Sequence, residues 1–83
     1  MLSYKTLYGV SLEEYCQIQG ITPQELIEKI ERDIRMLWGN YLRYAERNAS
    51  LTDEELYIAM SIYSKLTSKR QHLEDIKREL SNY

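Results

Sequence analysis

Three stretches of this chain follow one template: an apolar residue, then Ser or Thr, two further residues, Glu, and a second apolar residue. They are Val10-Ser11-Leu12-Glu13-Glu14-Tyr15, Ile21-Thr22-Pro23-Gln24-Glu25-Leu26 and Leu51-Thr52-Asp53-Glu54-Glu55-Leu56. Each reads as a helix start. The hydroxyl accepts from the N–H three residues on, the Glu reaches back to the cap N–H, and the flanking apolar pair sets the angle at which the chain enters the helix. In the second stretch Pro23 stands at the first helical position, where a missing N–H costs nothing. Three Gly and one Pro in 83 residues leave little punctuation between these starts, so the elements are expected to be long.

The segments follow from these starts. In the N-terminal arm, residues 1–10, Leu2, Tyr4, Tyr8 and Val10 could alternate as in a strand, broken by Gly9, and the arm is apolar enough to dock on the rest. Residues 11–19 form a short helix, with Gly20 placed for a left-handed cap. Residues 23–47 form a long helix. Its Ile27, Ile30, Ile34, Leu37, Tyr41 and Tyr44 are spaced 3, 4, 3, 4, 3, a heptad seam of the coiled-coil kind. Glu25–Lys29, Glu28–Arg32 and Glu31–Arg35 stand in the favourable i,i+4 order. Gly39 interrupts this helix at a cost of about 1 kcal/mol against Ala, so the helix either bends there or is approached closely by another backbone. After a short loop at Asn48-Ala49-Ser50, residues 53–81 form a second long helix. Its seam runs through Ile62, Leu66, Lys69, Leu73, Ile76, Leu80 and Tyr83, with Lys69 as the one polar break.

A loop this short makes the long helices antiparallel. The fold class is therefore all-α: a single domain, 1–83, with a short N-terminal helix followed by a long antiparallel helical hairpin. A surface helix carries one apolar stripe, yet Leu56, Tyr57, Ile58, Ala59, Met60, Ile62 and Tyr63 surround the axis of the last helix. One neighbour cannot cover them. The helix 11–19 is tethered at the far end of the hairpin. A second copy could supply the cover, giving a homodimeric helical bundle, or a different protein could do so.

Charge and composition narrow the functions. A net charge of −2 gives no electrostatic case for nucleic acid. One cysteine, Cys16, excludes an internal disulfide framework and fits a reducing compartment. No run of about 18 apolar residues marks a membrane span, and a cytoplasmic location is expected. His72, in the polar run Thr67–His72, reads as a solvated face residue. Cys16, between Tyr15 and Ile18, reads as a small buried residue. No base or orienting group is spaced to serve a nucleophile, and the carboxylates have roles as caps and ion pairs. No Cys/His spacing suits a metal and no Gly-rich loop suits a phosphate. The expectation is a protein that is not an enzyme and takes no cofactor.

One specific alternative has a motif behind it. Residues 11–30 resemble a helix-turn-helix. Cys16 occupies the small-residue position four before Gly20, Tyr15 the apolar position before it, and Ile21 and Leu26 later apolar positions, while Gln19 and Lys29 depart from the pattern. The resemblance covers about a quarter of the chain and implies a DNA-binding regulator. Its recognition helix would open Pro23-Gln24-Glu25-Leu26-Ile27-Glu28, setting carboxylates against phosphates.

The reading that fits most of the chain is a protein–protein interaction module: an inhibitor, adaptor or regulator, similar in size and composition to small accessory proteins of phages and mobile elements. Its eight Tyr, one Trp and no Phe suit surfaces that are half wet and half buried. The residues expected to carry binding are Trp38, Tyr41, Tyr44, Tyr57, Met60 and Tyr63, near the hairpin loop. A secondary charged face comprises Lys65, Lys69 and Arg70.

Overall fold

The computed structural model describes residues 3–81, which hold four α-helices and a single 3₁₀ turn. They are α1 (Tyr4–Tyr8), α2 (Leu12–Gln19), α3 (Pro23–Ala45), the 3₁₀ turn Asn48–Ser50 and α4 (Asp53–Ser81). The 29 residues of α4 reach about 43 Å at the helical rise, and the molecule measures 48 × 24 × 21 Å. The antiparallel pair α3–α4 makes the frame, with α2 packed on α3 and α1 on α4 at the end away from the hairpin loop. No helix among the described residues is long and apolar enough to cross a membrane.

The helix starts form as their side chains dictate. At α3 the box is complete: Thr22 Oγ1 accepts from Glu25 N–H at 3.1 Å, and Glu25 Oε1 accepts from Thr22 N–H at 3.3 Å. Thr52 and Glu55 repeat this at α4, at 3.2 Å both ways. At α2 only half forms. Ser11 Oγ accepts from Glu14 N–H at 3.1 Å, while the Glu14 side chain stays exposed, where hydration serves it equally well. Gly20 ends α2 in the left-handed region, φ 70°. Ile21 N–H and Gly20 N–H reach back to the carbonyls of Cys16 and Gln17 at 3.0 and 3.1 Å, which satisfies the last turn and swings the chain directly into α3.

Three expectations are corrected. The arm is helical rather than a strand. Ser3 caps α1 by accepting from Thr6 N–H, and Gly9, at φ 81°, closes it with its N–H on the Lys5 carbonyl at 2.8 Å. Leu2, part of the supposed alternation, lies outside the described residues, as does Tyr83 at the end of the α4 seam. The pairs Glu25–Lys29, Glu28–Arg32 and Glu31–Arg35 are not among the ion pairs of the described residues, which are Arg47–Glu55, Lys69–Asp33 and Arg78–Asp75. Exposed pairs gain little and must hold two long side chains still. At Gly39 nothing among the described residues stands within 4 Å of where a Cβ would project, so of the two alternatives there the close approach of another backbone is removed, and α3 continues through the glycine to Ala45.

The core lies at the α1/α2 end of the hairpin. Leu12 and Cys16 of α2, Leu26, Ile27 and Ile30 of α3, Ile76 of α4 and Tyr4 of α1 are buried together, with Ile34, Leu73 and Leu80 packed against them. Ile27, Ile30 and Ile34 of the α3 seam and Leu73, Ile76 and Leu80 of the α4 seam therefore face inward. The polar break at Lys69 is matched from α3, where Asp33 Oδ2 lies 3.2 Å from Lys69 Nζ.

Candidate interaction surface

Toward the hairpin loop the core runs out. Arg47 and Glu55 clasp the two helix ends at 2.8 Å, but Leu56, Tyr57, Ile58, Met60 and Tyr63 on α4 and Trp38 and Leu42 on α3 all remain exposed. Ala59 alone of the first two turns of α4 is buried. Apolar residues that surround a helix with a single neighbour have nowhere else to go.

Leu56, Met60 and Tyr63 of this set help bound an open groove of about 930 Å³ between α3 and α4. Tyr41 and Ala45 form one wall, Leu51 the loop end, and Leu56, Ala59, Met60, Tyr63, Ser64, Thr67, Ser68 and Gln71 the floor and far wall along α4. Tyr8 of α1 stands at the other end. None of these residues is charged, in a chain where 29% are. One wall is stiffened by a ladder of flat groups. The Arg70 guanidinium lies 5.4 Å from the Trp38 ring centre, Trp38 stacks on Tyr41 at 5.8 Å, and Tyr41 meets Tyr63 at 5.5 Å. Rings held by neighbours lose less freedom when a partner covers them.

The six residues expected to carry binding are thus divided. Tyr41, Met60 and Tyr63 line the groove, and Trp38 backs it through Tyr41. Tyr57 lies one turn from Met60 on the same face of α4 and is 74% exposed. Tyr44 belongs to a separate hollow of about 330 Å³ with Asn40, Arg43, Arg47, Glu55 and Ile62, so it does not join the others. The charged face is partly engaged within the chain. Lys69 is engaged with Asp33 and Arg70 with Trp38, which leaves Lys65 exposed on its own.

A second cluster was not anticipated. His72 is not a solvated face residue: it is partly buried under α1, where Nε2 and the Tyr4 hydroxyl share a hydrogen bond of 2.7 Å. The rings of Tyr4, Tyr8 and Tyr15 lie 5.8, 4.8 and 5.7 Å from the imidazole. Beside it the buried carboxylate of Asp75 accepts from Tyr8 O–H at 2.6 Å and Gln71 Nε2 at 3.1 Å, and pairs with Arg78 at 3.2 Å. Bonding to Tyr8 is the main reason its pKa is held low. Burial is the main cause that pushes Tyr4 up to about 12 and Tyr8 higher still. No buried side-chain polar atom among the described residues lacks a partner, so the cluster is a satisfied clasp that fastens α1 to α4. The signals for α1 were Ser3 and Gly9 bracketing five residues; nothing in the sequence joins Tyr4 to a histidine 68 residues away.

Elsewhere, Cys16 is buried and its thiol pKa is raised by that burial. At the α2–α3 corner, Gln24, Glu25 and Glu28 are exposed at the start of α3, and the interior of the corner is core. Among the described residues no three His, Cys, Asp or Glu gather as a metal site would require.

No protein-family model matches the chain, and neither a curated protein nor a solved structure resembles it significantly.

Proposed function

We propose that this protein is a non-enzymatic interaction module, an inhibitor, adaptor or regulator of the small accessory type, that works by seating an apolar helical surface in the groove between α3 and α4. The uncharged, aromatic-walled groove at the loop end of the hairpin is the observation that carries this reading. Exposed apolar surface of this extent is costly to leave in water and marks binding sites. Interface energy concentrates in large anchors of the Tyr, Trp and Arg kind, and a groove between helices suits the apolar face of another helix. The chain is expected to pair as a homodimer, the two hairpins forming a four-helix bundle.

Affinity capture from the native host tests the reading. The parent chain, Tyr63→Asp and Lys65→Ser serve as parallel baits. A protein retained by the parent and Lys65→Ser but lost with Tyr63→Asp supports the groove as the working surface. A partner retained equally by all three baits places that surface elsewhere.

A further inference from the structure

We infer that the side of the α3–α4 pair opposite the groove docks the sugar-phosphate backbone of a single-stranded nucleic acid, along a file of cations that ends in the charged hollow. This is a second surface, beyond the proposed interaction role, and it leaves the groove free for its own partner.

Helical spacing builds the file. Lys29, Arg32, Met36, Asn40, Arg43 and Arg47 of α3 follow one another at 3, 4, 4, 3 and 4 residues, so they share one face. Asn40, Arg43 and Arg47 line the hollow with Ile62 of α4, which fixes the side that this face takes. The pair Asp33–Lys69 lies on the same side, each member seven residues from Asn40 or Ile62. That pair and Arg47–Glu55 set the register of the antiparallel helices. By it Lys65 stands level with residue 37, in the gap between Arg32 and Arg43. Lys65 is alone on α4 but not in the fold. The cations span about 27 Å in steps of about 5–9 Å, the scale on which phosphates follow one another along an extended strand.

The net charge of −2 averages two unlike sides. From Lys29 to Arg47 on α3 and from Glu55 to Lys69 on α4, this side holds six cations, with Asp33 and Glu55 as its anions. Each of those anions answers one cation. Lys29, Arg32, Arg43 and Lys65 are exposed and belong to none of the ion pairs of the described residues. Glu25 is bonded into its capping box, and Glu28 and Glu46 stand on the flank of α3 turned away from α4. Glu31 and Glu74 lie on the groove side of a molecule 21–24 Å thick, beyond two Debye lengths of about 8 Å each at physiological salt.

The lack of an apolar anchor selects the occupant. Protein interfaces draw their energy from a desolvated centre of large side chains, and those of this chain stand on the groove side. Of the exposed apolar residues of α3 and α4, only Met36 and Ile58 fall on this side, about 12 Å apart along the axis in the same register. Guanidinium and ammonium groups on long stems need no such centre to hold phosphate oxygens.

Fluorescence anisotropy of a short labelled oligo(dT) with the full chain tests this. Four phosphates neutralised on a single strand give a slope of about −3 in log K against log salt, so affinity should fall roughly 50-fold from about 50 to about 200 mM salt. The exposed pair changed together, Arg32→Gln with Arg43→Gln, should bind more weakly and cut that fall to roughly 7-fold, and Lys65→Ser alone to roughly 20-fold. Lys5→Gln with Lys77→Gln removes two charges elsewhere and should match the parent. No binding by the parent at about 50 mM salt overturns the inference. An equal change from the Lys5 and Lys77 substitutions also overturns it, because net charge alone would then be acting. An oligoglutamate of the same length bound as tightly as oligo(dT) overturns it in favour of an acidic protein segment. The groove stands or fails separately: Tyr63→Asp removes the groove's partner but keeps the file and should still bind oligo(dT), whereas Lys65→Ser weakens the file and leaves the groove intact.

Discussion

The Tyr4 hydroxyl lies 2.7 Å from His72 Nε2, across 68 residues of chain, and with the Tyr8–Asp75 bond it fastens a five-residue helix that could not persist alone. α1 is stable because Tyr4, 1% exposed, belongs to the core. Tyr4→Ala is expected to cost about 3–5 kcal/mol, the range for deleting a buried ring. Tyr4→Phe keeps the ring and should cost about 1 kcal/mol, the hydrogen bond alone. Urea denaturation of both variants checks this. A Tyr4→Ala protein as stable as Tyr4→Phe would mean that the ring contributes no packing.

The same clasp gives stability a defined pH dependence. Burial holds the His72 imidazole below its ordinary 6.5; the Asp75 carboxylate opposes that shift and Lys69 adds to it. Below pH 6.5 the unfolded chain takes up a proton that the folded chain resists, so stability falls as pH falls. Asp75, held below 3.8, extends the loss in the same direction at lower pH. On the alkaline side the sign reverses. Tyr4 stays protonated up to about 12 when folded, against 10.0 when unfolded, so stability declines as pH rises through that window. Melting temperature against pH for the parent, His72→Gln and Tyr4→Phe should show the limb just below 6.5 flattened in the first variant and the alkaline limb reduced in the second. Unchanged limbs would remove these groups as the source.

Gly39 offers a stabilising change. It lies within α3 with open space where a Cβ would project. Gly39→Ala should raise stability by about 0.4–1 kcal/mol through the unfolded chain's lost freedom, seen as a higher melting temperature. A lower one would mean that something outside this chain packs against the glycine.

Much of this fold is legible in local chemistry. Thr22 with Glu25 and Thr52 with Glu55 place two helix starts to the residue, and the seams through Ile30 and Leu66 place the faces that meet. Legibility fails where a role depends on distant partners. Lys69 breaks its seam because Asp33 awaits it. His72 sits in a polar run and looks solvated until α1 folds over it. Tyr4 and Tyr8, four residues apart, meet as tilted rings at 4.4 Å on a helix too short for periodicity to register. The groove stands between these cases. An apolar excess around residues 56–63 is visible in the sequence, but its division into a neutral groove with Tyr41 and a charged hollow with Tyr44 depends on how α3 and α4 cross.

That division yields the prediction on which function turns. Tyr63 and Tyr44 are both near the loop end of the hairpin, one on α4 in the neutral groove and one on α3 in the charged hollow. If the groove is the interaction surface, Tyr63→Ala should weaken association by about 2 kcal/mol or more, roughly 30-fold, while Tyr44→Ala changes it little. Tyr63 is half exposed and its ring contact is with Tyr41, so its loss should leave helical circular dichroism unchanged. Tyr57→Ala, at the groove's exposed margin, should give an intermediate loss. Association constants of the three variants, measured by sedimentation or calorimetry at equal helicity, decide the matter. A larger effect from Tyr44 than from Tyr63 would move the binding surface to the charged hollow beside Arg43 and Arg47.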